Sequence, residues 1–179
     1  WGIDHSTFGE PLVQGQVSFG KGQMLMRDYH KRSDICVVLL EMCEDVAKRA
    51  RLAGYVGRTI ALGLSYSQAA MTKGFHLSKT IEEPTNDTMT IYAVCKELLD
   101  THFVGEPARQ LSVRLSNVEQ ARSIQLDLFD TDKEKRQTLA HTVDTIRDKF
   151  GATAILRAAS YTEAGTAIER NRLVGGHLA

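Results

Sequence analysis

The sequence predicts an α+β fold: a βαββαβ two-layer sandwich, with two helices on one face of a four-stranded sheet, followed by a C-terminal helix and a short strand. Two observations predict it. Three segments alternate apolar and polar residues with a period of two, and two longer segments repeat apolar residues at helical spacing. With an extended first segment, their order is strand, helix, strand, strand, helix, strand. That order builds a four-stranded sheet and leaves one of its faces open.

Val17 to Tyr29 reads as the first strand, with Gly20 and Gly22 marking a bulge or a close backbone approach. Ser33 and Asp34 supply an N-cap. Ile35, Val38, Leu39, Met42 and Val46 recur at helical spacing, and Glu41, Glu44, Asp45, Lys48 and Arg49 fill the other face. A helix therefore runs near residues 34–53 and stops at Gly54.

Arg58 to Ser65 alternates Ile60, Leu62 and Leu64 against Thr59, Ala61 and Gly63. Lys73 to Ile81 alternates too, with Phe75 and Leu77 inward, so the two read as a hairpin with its loop at 68–72. Pro84 and Asn86-Asp87 open a second helix with the stripe Met89, Ile91, Val94, Cys95, Leu98 and Leu99. Gly105-Glu106-Pro107 ends it, and Arg109 to Ser116 sets Leu111, Val113 and Leu115 against Gln110, Ser112 and Arg114. Val118 to Ser123 reads as a connector. Thr131 to Glu134 fits a capping box for a third helix with the stripe Leu139, Val143, Ile146 and Phe150, closed by Gly151. Thr153 to Ala158 reads as the short final strand, and 160–179 shows no period and is expected to lack structure in isolation. The expected division is 1–16 as the end of a preceding element and a linker, 17–117 as the sheet domain, 118–130 as a connector, and 131–179 as C-terminal helix, strand and tail.

The 179 residues balance 22 Lys and Arg against 22 Asp and Glu, so net charge alone implies no polyanionic partner. Segregation would have to supply one. The polar sides of the strands carry Lys21, Arg27, Arg58, Lys73, Lys79, Arg109 and Arg114, and the acids concentrate on helices at Glu41, Glu44, Asp45, Glu97 and Asp100. Outward Lys and Arg also serve solubility, so periodicity leaves a solvated face and a nucleic-acid face both open. No apolar run is long enough for a membrane span. Cys36, Cys43 and Cys95 form no C-x-x-C pair and read as reduced, buried thiols. The six histidines lack metal-site spacing, and Gly20-Lys21-Gly22 is too short for a phosphate loop. Glu82-Glu83 and Asp130-Thr131-Asp132 read as loop and helix-start carboxylates rather than a metal pair.

Gln125-Leu126-Asp127-Leu128-Phe129 is an apolar cluster between polar flanks. Two leucines and a phenylalanine can fill a partner's groove while the Gln amide hydrogen-bonds at a second subsite. An edge strand or a first turn tucked under the third helix is the other reading of these residues. All five positions match the consensus by which bacterial polymerases and repair proteins bind the sliding clamp, a coincidence of about one in a few thousand at average residue usage.

With that peptide after a βαββαβ unit, the chain resembles the C-terminal, little-finger region of bacterial Y-family, UmuC/DinB-like translesion DNA polymerases. Ser18 to Tyr29 resembles the family's first little-finger strand, and Thr72-Lys73-Gly74-Phe75 the stretch that lies against template phosphates. Trp1-Gly2-Ile3-Asp4 resembles the end of the thumb, and Phe150-Gly151 with Ala154-Ile155-Leu156-Arg157 the tail of the Gram-positive branch. The abrupt start without Met suggests a piece of a longer chain. The resemblance implies a non-catalytic, DNA-binding and clamp-binding region of an error-prone lesion-bypass enzyme. Its catalytic carboxylates are expected upstream, with no cofactor here and Mg2+ used by the parent. It implies primer-template DNA and the sliding clamp as partners, no membrane, no small-molecule substrate, and a cytoplasmic, nucleoid-associated setting. It implies Lys21, Gly22, Arg27, Arg58, Lys73, Gly74, Lys79 and Arg114 as DNA contacts and Gln125 to Phe129 as the clamp contact. The alternatives are an RNA-binding domain, which wants exposed aromatics on the central strands where Phe75 and Tyr66 form no pair, or a protein-interaction module with the same ferredoxin-like sheet.

Overall fold

The computed structural model describes residues 18–121, 131–174 and 177–178. The elements run β1 (Phe19–Tyr29), α1 (Arg32–Leu52), β2 (Tyr55–Tyr66), β3 (Gly74–Thr85), α2 (Thr88–His102), β4 (Ala108–Gln120) and α3 (Thr131–Phe150). A 3-10 turn (Ala158–Tyr161), the one-turn helix α4 (Ala167–Arg170) and the two-residue strands β5 (Leu173–Val174) and β6 (His177–Leu178) follow. The sheet is antiparallel in the order β1-β4-β2-β3, so the α+β sandwich expected from periodicity is the fold that forms.

The core lies between one sheet face and the two helices. Ile60, Leu62 and Leu64 of β2 stand beside Leu115, Val113 and Leu111 of β4, all of them buried. Ile35, Leu39 and Met42 of α1 and Ile91 and Leu99 of α2 close over them. Full burial of such side chains contributes about 1.5–3 kcal/mol each. Cys36, Cys43 and Cys95 are buried, free thiols in this layer. No helix among the described residues is long and apolar enough to cross a membrane.

Local chemistry sets the element ends. Asp87 caps α2, its carboxylate accepting from the Thr90 N–H at 2.8 Å. Gly54 ends α1 at φ +73°, the left-handed position that glycine fills without strain. The α1 cap itself is Lys31, with no side-chain bond, rather than Ser33 or Asp34. Those two fall in the first turn, where the Asp34 charge suits the helix dipole. Strand pairing also runs further than the alternation: Tyr55 pairs with Gln120, so β4 continues through 118–120 and shortens the connector. β3 extends to Thr85 past Pro84, which an edge strand tolerates.

The C-terminal residues depart most from expectation. Thr153 to Ala158 is turn, not strand; the short strands come later, at β5 and β6. Leu139 and Phe150 of the α3 stripe are 64% and 67% exposed, and Met89 of α2 is also exposed. The α3 stripe is not a core seam, because α3 attaches through charged residues on a neighbouring face: Asp144, Arg147 and Asp148 pair with Arg51, Glu44 and Lys48 of α1. Residues 160–172, expected to lack structure, dock on α1 and β1 with Ser160, Ala164 and Thr166 buried. The capping-box side chains Thr131 to Lys133 and the pentapeptide Gln125 to Phe129 lie outside what is described.

Candidate nucleic-acid interface

Alternation along four strands sends every second residue to the face away from the helices. The register aligns these residues in rows across the sheet: Gly20, Arg114, Ala61 and Ser78; then Gly22, Ser112, Gly63 and His76; then Met24, Gln110, Ser65 and Gly74. Ser116, Thr59 and Thr80 begin a fourth, where the two threonine hydroxyls meet at 3.0 Å. Most of these side chains are short and six carry hydroxyls, with Arg114, His76, Met24 and Gln110 standing taller among them. Gly63 has to be short, since an added Cβ would collide with the Ser112 hydroxyl and crowd the His76 ring. Gly74 sits at φ +106°, where a Cβ would strike the Leu64 carbonyl, so the hairpin itself demands glycine there. Gly22 meets no such obstacle and leaves open space above the backbone.

The expected basic set does not gather on this face. Lys21 and Lys79 share the strand parity of the core residues. Lys21 stands opposite Val113 and reaches Asp45 of α1 at 3.2 Å; Lys79 stands opposite Ile60 and holds both Glu97 oxygens of α2 at 2.7 Å. Both lie at the edges of the helix side, where a long cationic chain can reach past the core to a helix acid. Arg58 donates to the Glu82 carbonyl and lies 3.5 Å from Glu119. Arg109 pairs with Asp28 at 3.5 Å. Arg27 donates to the Glu163 carbonyl at 3.1 Å and lies over the Tyr29 ring, 5.1 Å from its centroid. Burial pushes the Tyr29 phenol up, opposed by the Arg27 guanidinium, and its hydroxyl donates to the Ala164 carbonyl.

Arg114 and Lys73 remain. Both are exposed, and neither has a partner among the described residues. Arg114 rises from the centre of the open face, and Lys73 stands at the hairpin loop next to Gly74. Among the described residues no aromatic platform accompanies them: Tyr66 is buried against Phe103, and Phe75 stands on the helix side near His102. Sequence reasoning missed the tail's hold on Arg27 and the middle row of Ser112, Gly63 and His76. The row was readable from strand parity; the hold was not.

The structure is thus an antiparallel sheet with helices on one side and a mostly small-residue face on the other. Residues 16–128 match the impB/mucB/samB family C-terminal domain, and the chain belongs to that family. Relatives that share this region include proteins named DNA polymerase IV. The chain is 53% identical over 98% of its length to a protein of Bacillus subtilis (strain 168) named as a candidate UV-damage repair protein, UvrX. It is 42% identical over 98% of its length to "DNA polymerase IV 2" of Halalkalibacterium halodurans. It spans 42% and 43% of those two relatives' lengths. A solved complex of a beta-clamp processivity factor with the little finger domain of PolIV aligns over 63% of this chain and 99% of that one, at 12% identity and a TM-score of 0.47.

Proposed function

We propose that this region grips primer-template DNA and tethers a lesion-bypass polymerase to its sliding clamp, while the nucleotidyl transfer is carried outside residues 16–128. The observation that carries the reading is the open face, whose rows are mostly Gly, Ala, Ser and Thr with Arg114 at their centre, beside Lys73 at the adjoining hairpin loop, neither cation having a partner among the described residues. Such a surface brings backbone and hydroxyls close to phosphates and has few side chains long enough to read base edges, so it positions a duplex without selecting its sequence. Gly22 and Gly74 are the points of closest backbone approach. Lys21, Arg58 and Lys79 contribute to the field of the domain from their ion pairs and not as direct partners.

Gln125 to Phe129 is the clamp contact in this reading. The chain carries it just past β4 and just before α3, at the end of the matched residues. Docking there makes DNA engagement effectively intramolecular and raises the local concentration of the enzyme at the primer end. Residues 1–16 then close the thumb and its linker, 17–117 form the grip, 118–130 the tether and 131–179 the C-terminal addition. The Mg2+ chemistry belongs to a palm elsewhere in a longer polypeptide, and the work is done in the cytoplasm on the nucleoid. The relatives' names support a polymerase parent.

Fluorescence anisotropy with two duplexes of unrelated sequence, stepped through salt, tests the grip. Equal affinities that fall steeply with salt are expected. A clear preference for one sequence, or affinity indifferent to salt, contradicts it.

A further inference from the structure

One stripe of α1, turned away from the core, carries Glu41, Glu44, Asp45, Lys48 and Arg51, and each is met by a residue from the C-terminal segment. Thr166 donates its N–H and its hydroxyl to one Glu41 oxygen, at 3.0 and 2.8 Å. Arg147 and Arg157 take the two oxygens of Glu44 at 3.1 and 2.7 Å. Arg170 reaches Asp45 at 3.1 Å, and Lys48 reaches Asp148 at 2.5 Å. Arg51 and Asp144 pair through two hydrogen bonds. The apolar share is small: Ala164 is the segment's sole contribution to the core among the described residues.

The two parts of the molecule are thus held by different forces. Burial holds the βαββαβ unit. Charge pairs and hydrogen bonds hold residues 131–172, and such contacts, several of them partly solvated, open at lower cost than a packed core. The same segment occupies Arg27, through the Glu163 carbonyl and through the Tyr29 ring, whose hydroxyl is tied to Ala164.

We propose that residues 131–172 are a latch that opens as a unit while the βαββαβ unit stays folded, and that the closed latch withholds Arg27 from DNA. The second half rests on the DNA-gripping reading above. Opening releases a cation at the exposed end of β1 and so strengthens the grip; closing removes it.

Hydrogen exchange read by mass spectrometry on the whole chain tests the latch, with Asp144→Asn as the opening variant. Exchange over 136–172 rises on the order of a hundredfold, because the Arg51 guanidinium loses its buried partner, while amides of β2 and β4 keep their rates. Arg170→Met, a milder change at a partly exposed pair, gives a rise of roughly severalfold and serves if the first variant fails to fold. Acceleration of β2 and β4 in step with 136–172, or an unchanged segment in both variants, overturns the latch. Duplex affinity at low salt tests Arg27. Asp144→Asn binds more tightly than wild type, and Arg27→Ala/Asp144→Asn loses the gain. No gain with the latch open overturns the withholding of Arg27. Failure of the wild type to bind any duplex defeats the DNA reading and leaves the exchange result standing.

Discussion

Arg51 and Asp144 face each other between α1 and α3, joined by hydrogen bonds of 2.7 and 3.1 Å, with only 7% and 5% of their side chains exposed. Arg51 also donates to the Asn86 carbonyl at 2.9 Å, so one guanidinium ties α3 to the entrance of α2. A buried ion pair costs much desolvation, and its loss is most damaging when only one partner is removed. Asp144→Leu alone should therefore destabilise α3 docking by about 3–5 kcal/mol, and Arg51→Met/Asp144→Leu by much less. Urea unfolding followed by the helical circular-dichroism signal reads both. Losses that simply add would show that the two charges are not coupled.

Gly74 is fixed by geometry and not by any ligand. Gly74→Ala places a Cβ at φ +106° against the Leu64 carbonyl and should cost about 1–3 kcal/mol of stability. Gly22→Ala, with open space above it, should cost much less. Denaturant midpoints of the two variants compare them, and equal losses would remove the steric argument at Gly74.

Tyr92 predicts a pH dependence. Burial, with the neighbouring Cys36 next, pushes its phenol up to about 12. The unfolded phenol titrates near 10, so between about 10 and 12 the folded state holds a proton that the unfolded state has lost. Stability is fully present below pH 10 and falls as the pH rises through the folded value. Tyr92→Phe should flatten this fall in urea midpoints measured from pH 9 to 12. A wild-type midpoint that is level across that range would contradict the assignment.

The clamp peptide is tested apart from the fold. Leu128→Ala/Phe129→Ala should abolish binding to purified clamp in calorimetry and leave the thermal unfolding profile unchanged. Equal clamp affinity for wild type and variant would return Gln125 to Phe129 to an ordinary connector.

The sandwich was legible because period-two and period-3.6 patterns report which side of an element is buried, and the Ile60, Leu62, Leu64 alternation in β2 and the α1 stripe are long and unbroken. The parity of Lys21 with Phe19 and of Lys79 with Phe75 and Leu77 already placed both lysines on the helix side; counting charges without parity put them on the wrong face. The docking of 131–172 was not legible. Its contacts join Glu44 to Arg147 and Arg157, and Asp45 to Arg170, over more than a hundred residues. The partners of the α1 stripe are spread through a region without apolar period, so spacing along α1 alone does not reveal them.

On the DNA-gripping reading, DNA meets the open face and the cations without a partner among the described residues, Arg114 and Lys73, and not Lys21 and Lys79, which stay paired with helix acids. The salt dependence of duplex binding, measured for Arg114→Ala/Lys73→Ala beside Lys21→Ala/Lys79→Ala, tests it most directly. The first pair should lower the slope of log affinity against log salt by about 2, while the second leaves it unchanged. A slope lowered by the second pair and untouched by the first would contradict it.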